Sequence, residues 1–130
     1  MKVLVIDDDP AMTELLKIQL ESDTVTVYIA YSGEEGIKMV RKTSPDIIIL
    51  DLLMPELDGW QTCKGIREFT QTPILILSAL DNPGMVANAL DAGADDYVVK
   101  PVSSTMLNVH LKNLMRRSHS KKEYFRSVNV

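Results

Sequence analysis

Cysteine is almost missing from this chain: Cys63 stands alone among 130 residues. A single thiol rules out an intrachain disulfide framework, and Cys63 reads as a small apolar helix residue. No apolar run approaches the roughly 18–20 residues needed to cross a bilayer. No leader pattern shows at the start either, since the chain enters a strand pattern within two residues. Together these absences predict a cytoplasmic, reducing compartment and no membrane association. Positive charge is scarce over most of the chain. Residues 1–115 carry 9 Lys and Arg against 17 Asp and Glu, which argues against direct nucleic-acid binding by this domain. There is no internal repeat and no low-complexity segment. A glycine-rich phosphate loop is also missing after the first apolar run. Three carboxylates stand there instead, and they would repel a flavin phosphate.

What is present is an alternation. Five short apolar runs, Val3–Ile6, Val25–Ala30, Ile47–Leu50, Ile74–Leu77 and Tyr97–Val99, are separated by helix-like segments. Several runs are continuous rather than alternating, as in strands buried on both faces of a parallel sheet. Met12, Leu15, Leu16 and Leu20 share one helical face, as do Val86, Ala89, Leu90 and Gly93, while Leu107, Leu111 and Leu114 mark the last helix. Start signals agree. Ser32 and Glu35 have capping-box spacing, and Pro10 and Pro83 suit first-turn positions after Asp9 and Asn82. The pattern predicts an α/β fold: a doubly wound five-stranded parallel sheet in the flavodoxin-like order 2-1-3-4-5, with five helices. One domain is expected over residues 1–117. Residues 118–130, with Lys121, Lys122 and Arg126, read as a basic tail or the start of a linker.

In such a sheet, ligands bind beyond the carboxyl ends of the strands. The first run ends in Asp7 and Asp8, the third in Asp51, the fourth in Ser78 and the fifth in Lys100. Clustered carboxylates are costly without a cation, and oxygen-only ligands favour a hard ion such as Mg2+. A metal, a nucleophilic carboxylate, a lysine and a hydroxyl are the equipment for phosphoryl transfer to a carboxylate. Asp51 is the best nucleophile candidate, because a strand presents it and a loop follows. Asp9, followed by Pro10, is read as a helix cap. Asp58–Gly59 is read as a loop and helix start, and Asp95–Asp96 as a solvated turn. Trp60 and Phe69 are read as packing residues, while His110 and His119 have no partner spacing that suggests metal or catalysis.

The stretches "VLVIDDDP", "PDIIILDLLMPELDGW", "TPILILSAL" and "GADDYVVKP", in this order, resemble a response-regulator receiver domain of two-component signalling. The resemblance implies a signalling domain rather than a turnover enzyme. A sensor histidine kinase or phosphotransfer protein would place a phosphoryl group on Asp51. Mg2+ would be held by Asp7, Asp8, Asp51 and the backbone carbonyl of Leu53. Ser78 and Tyr97 take the switch positions, Lys100 the phosphate-binding lysine, and Lys100–Pro101 the cis-peptide site. A downstream output domain or partner protein is implied, as is a homodimer through the fourth helix, fifth strand and fifth helix. The chain departs from that dimerising branch in one respect: Met85–Asp91 holds no Lys or Arg. The main alternative is a haloacid-dehalogenase-like phosphatase, which Asp7-x-Asp9 fits superficially. Against it, Ala11 stands where Thr or Val is expected, Asp95–Asp96 precedes Lys100 instead of following it, and Asp51 would have no role.

Overall fold

The structure, a computed structural model, describes the backbone of residues 1–128 and the side chains of residues 1–118. His119, Lys121, Lys122 and Arg126 of the basic tail therefore lie outside the described side chains. The elements alternate strictly. They are β1 (Lys2–Ile6), α1 (Pro10–Leu20), β2 (Thr26–Ala30), α2 (Gly33–Thr43), β3 (Ile47–Leu50), α3 (Gly59–Arg67), β4 (Ile74–Ser78), α4 (Pro83–Asp91), β5 (Asp96–Val99) and α5 (Ser104–Val128). Helix α5 crosses position 117 without a break. All strand pairings are parallel, in the order β2-β1-β3-β4-β5.

The continuous apolar runs serve two cores at once, because successive strand residues face opposite sides. Val3, Val5, Ile47, Ile49, Leu75 and Leu77 meet Leu16 and Leu20 of α1 and Leu107, Leu111 and Leu114 of α5. Leu4, Ile6, Ile48, Leu50, Ile74 and Ile76 meet Val40 of α2, Cys63 and Ile66 of α3, and Ala89 of α4. Nearly all of these strand residues are fully buried. Each such side chain contributes about 1.5–3 kcal/mol relative to exposure.

The helix faces are narrower than the sequence suggests. In α1 the inward line is Thr13, Leu16 and Leu20, and Leu15 is 48% exposed. In α4 Ala89 is the one buried residue, and Leu90 is 43% exposed. Each exposed leucine sits one position from the inward line, about 100° around the helix. The caps follow from side-chain chemistry. Asp9 Oδ1 accepts from the Ala11 and Met12 amides, and Asn82 Oδ1 from the Gly84 and Met85 amides. At α2, Ser32 accepts from the Glu35 amide, but the Glu35 carboxylate takes the Tyr31 amide instead of closing the box. The reciprocal box is at α3, between Asp58 and Gln61.

Candidate phosphoacceptor site

Register assembles the site. Ile6 of β1 pairs with Leu50 of β3, so Asp7 and Asp51 each follow a paired strand end. Their backbones stay tied to the sheet: the Asp7 amide donates to the Ala30 carbonyl and the Asp51 amide to the Ile6 carbonyl. Ser78 of β4 pairs with Val99 of β5, and the Lys100 amide donates to the Ser78 carbonyl at 2.8 Å. Four strands thus present Asp7, Asp51, Ser78 and Lys100 on one edge.

Asp7, Asp8 and Asp51 each offer a carboxylate oxygen, and these oxygens lie within 4.8 Å of one another. Asp7 and Asp51 are buried and Asp8 is exposed. Lys100 Nζ lies 3.1 Å from Asp7 Oδ2 and 3.5 Å from Asp51 Oδ2, so one cation bridges the two buried carboxylates. Burial raises the Asp7 pKa above the ordinary carboxylate value. The hydrogen bond from the Asp9 amide and the charge of Lys100 pull the other way, and the charge of Asp51 adds to the rise. The oxygen-only donor set and its uncompensated negative charge fit a hard divalent cation.

The loops around the cluster are held by local hydrogen bonds. The Leu53 amide donates to Asp51 Oδ1 at 3.2 Å, and the Leu53 side chain is 51% exposed. Ser78 is fully buried, and its Oγ accepts from the Leu80 amide at 3.3 Å. Tyr97 is half-buried, and its hydroxyl donates to the Leu80 carbonyl at 2.6 Å. Leu80 is therefore held on both sides of its own backbone by two residues of the site. Burial pushes the Tyr97 phenol up, while the Ser78 hydroxyl beside it acts in the opposite direction. The Lys100–Pro101 bond is cis.

Some residues behave differently from their sequence reading. Asp95 is not a solvated turn: its Oδ2 accepts from Arg67 Nη2 at 2.7 Å and from the Ile74 amide at 2.8 Å. Asp96 pairs with His110 Nδ1 at 2.6 Å, joining β5 to α5. Gly59 also proves close to the site. A Cβ there would collide with the Asp51 carbonyl oxygen and Leu52 Cα. The only sequence signal for this was the Asp58–Gly59 pair, which marks a helix start equally well. Phe69 lies under the Arg41 guanidinium, 4.1 Å from its ring centroid.

Residues 3–112 match the family described as "Response regulator receiver domain". The chain is 40% identical over 115 residues to the transcriptional regulatory protein AfsQ1 of Streptomyces coelicolor, covering 88% of this chain and 51% of that protein. It thus spans about half the length of the curated relatives it matches. Among solved structures it resembles a two-component response regulator from Clostridium difficile, with TM-score 0.87 and 34% identity over 91% of this chain and 98% of that one. It also resembles the BeF3-activated N-terminal receiver domain of Klebsiella pneumoniae RstA. There the TM-score is 0.85 and the identity 28%, over 89% of this chain and 99% of that one. These matches favour the receiver reading over the phosphatase alternative.

Proposed function

This chain belongs to the response-regulator receiver family, and from that premise we propose that Asp51 is its phosphoacceptor, with Mg2+ held by Asp7, Asp8, Asp51 and the Leu53 carbonyl. The observation that carries the proposal is the Asp7–Asp8–Asp51 cluster with Lys100 bridging its two buried members. An Asp51 oxygen forms the new bond to phosphorus as the bond from phosphorus to the donor's histidine nitrogen breaks, leaving an acyl phosphate. Lys100 already sits beside the Asp51 carboxylate, where it can neutralise charge on a transferred phosphoryl oxygen. When bound, the metal supplies charge neutralisation to the incoming phosphoryl group and to the carboxylates.

The phosphoryl donor is a sensor histidine kinase or phosphotransfer protein, in the cytoplasm. The domain assists its own modification but does not turn over a substrate. The receiver unit comprises residues 1–117, and residues 118–130 are a basic tail or the start of a linker. The homodimer through α4, β5 and α5 draws support from exposed apolar residues on those elements: Met85, Leu90, Val99, Met106 and Val109. Ser78 and Tyr97 form the switch. A phosphoryl oxygen accepts from the Ser78 O–H and draws it toward Asp51; because Ser78 Oγ also accepts from the Leu80 amide, that movement disturbs the loop that Tyr97 also holds.

The test uses acetyl phosphate or beryllofluoride, each with and without Mg2+, on wild type and Asp51→Asn. Modification is expected only in the wild type with Mg2+, and equal modification of Asp51→Asn would end the assignment. Asp8→Ala should abolish Mg2+ binding, whereas Asp9→Ala should retain it, because Asp9 is occupied with the α1 amides. Ser78→Ala should still accept beryllofluoride, but Tyr97 should no longer respond to it.

A further inference from the structure

Strand β2 ends the sheet on one side, paired among the described residues with β1 alone. The stretch through it, VTVYIAY at residues 25–31, holds no charge, no proline and no glycine, and it is rich in β-branched and aromatic residues. Such a stretch on a sheet edge is a template for another strand. Strand β5, at the opposite edge, carries a charge of its own in Asp96.

Register shows which backbone groups of β2 face outward. In a parallel pair, alternate residues of a strand turn their amides and carbonyls to alternate sides. The Thr26 amide donates to the Met1 carbonyl, and the Ala30 carbonyl accepts from the Asp7 amide. Thr26, Tyr28 and Ala30 therefore bond toward β1, while Val25, Val27, Ile29 and Tyr31 address the free edge. Val25 closes a turn with Ser22, each amide donating to the other's carbonyl, at 3.1 and 3.4 Å. The Val27 amide donates to Glu21 Oε2 at 3.3 Å, and the Tyr31 amide to Glu35 Oε2 at 3.2 Å. For the Ile29 amide, no acceptor is present among the described residues.

Both glutamates come from outside the strand. Glu21 is the carboxyl cap of α1 and Glu35 lies in the first turn of α2, so the helix before β2 and the helix after it each send one carboxylate to its edge. Both residues are exposed. Antiparallel pairing about Tyr28 would set Val27 opposite Ile29 of a second copy, so the β2 edge is complementary to itself. A second copy would have to displace these carboxylates, and it would bring two more of its own.

We propose that Glu21 and Glu35 guard the β2 edge against pairing with β2 of a second copy. They occupy the outward amides on both sides of Ile29, and they place like charges where the two copies would meet. The guarded edge lies across the sheet from β5, and the inference does not depend on which residue accepts a phosphoryl group.

The test compares the full wild-type chain with Glu21→Ala/Glu35→Ala, in which two exposed side chains are truncated, without Mg2+ or beryllofluoride. Sedimentation equilibrium reads self-association. Pairing of wild-type edges breaks at least one charge-assisted hydrogen bond per copy, a loss the variant is spared. Its association constant is therefore expected to be at least about tenfold higher. Amide hydrogen exchange locates the contact. In the wild type, the Ile29 amide should exchange faster than those of Val27 and Tyr31; in the associated variant, Ile29 should become protected. An association constant no higher than that of the wild type overturns the proposal. So does association that leaves Ile29 exchanging freely, which assigns the contact to another face such as α4, β5 and α5. Wild-type Val27 and Tyr31 amides that exchange as fast as Ile29 would overturn it too, because the glutamates would then not be occupying them.

Discussion

Replacing Lys100 by Met removes the one cation that the structure places between two buried carboxylates. Its Nζ is 3.1 Å from Asp7 and 3.5 Å from Asp51, and the three side chains are 18%, 4% and 9% exposed. At an effective dielectric near 20, each contact is worth about 5 kcal/mol before desolvation is subtracted. Desolvating the ammonium and the carboxylates offsets much of that. Breaking such a buried pair by removing one partner costs about 3–5 kcal/mol, because uncompensated charge stays behind. That is a large part of the roughly 5–15 kcal/mol that holds a domain folded. The loss should be greatest in a metal chelator. Mg2+ should return part of it, since a ligand at a hundred times its dissociation constant adds about 2.7 kcal/mol to the state that binds it. Lys100→Met leaves more uncompensated negative charge than the wild type, so it should gain more from Mg2+. Urea unfolding of both proteins, in chelator and in saturating Mg2+, reads all four stabilities. A loss under about 1 kcal/mol in chelator refutes the bridging role of Lys100. A gap between the proteins that Mg2+ does not narrow refutes the cluster as a cation site.

Gly59→Ala should destabilise the fold by about 1–3 kcal/mol and lower the beryllofluoride affinity, because its Cβ would press on the Asp51 carbonyl and Leu52; wild-type affinity would show that the loop yields without moving Asp51. Arg67→Met should cost about 3–5 kcal/mol in urea unfolding, since it leaves Asp95 without its ion partner and three loop carbonyls without a donor; a loss below 1 kcal/mol, the range of a surface pair, would contradict the clamp. Burial pushes the Cys63 thiol from 9.0 up to about 11, so the folded state holds its proton at a pH where the unfolded chain has lost it. Stability should be full below pH 9 and fall by about 1.4 kcal/mol per pH unit between 9 and 11. A Cys63→Ala protein showing the same alkaline loss would assign it elsewhere. Leu53 and Leu80, flanking Asp51 and Ser78, offer no side-chain hydrogen bond to orient an attacking water. Leu53→Asn and Leu80→Glu should therefore shorten the phosphoryl half-life, a tenfold change being about 1.4 kcal/mol of barrier; unchanged or longer half-lives would discard the shielding idea.

Local chemistry made much of this protein readable in one dimension. Continuous runs such as Ile47–Leu50 announce strands buried on both faces, and Asp9–Pro10 and Asn82–Pro83 announce helix starts. Both signals act over a few residues, so they survive without tertiary context. The strand-end position of Asp7, Asp51, Ser78 and Lys100 follows from the same pattern, and a parallel sheet gathers strand ends on one edge. Other features depended on which distant segments meet. Asp95 looked like a solvated turn because its partners, Arg67 and the Ile74 amide, lie 28 and 21 residues away. Asp96 and His110 sit on separate elements, 14 residues apart, and pair only once α5 packs on the sheet. Gly59 is a helix-start residue by sequence and a close contact of Asp51 by packing. Leu15 and Leu90 carry a core residue's chemistry, but each lies one position off its helix's inward line and faces outward. Periodicity and capping are written in neighbouring residues, whereas register, close approach and the choice among apolar positions on a helix are settled by what packs against them.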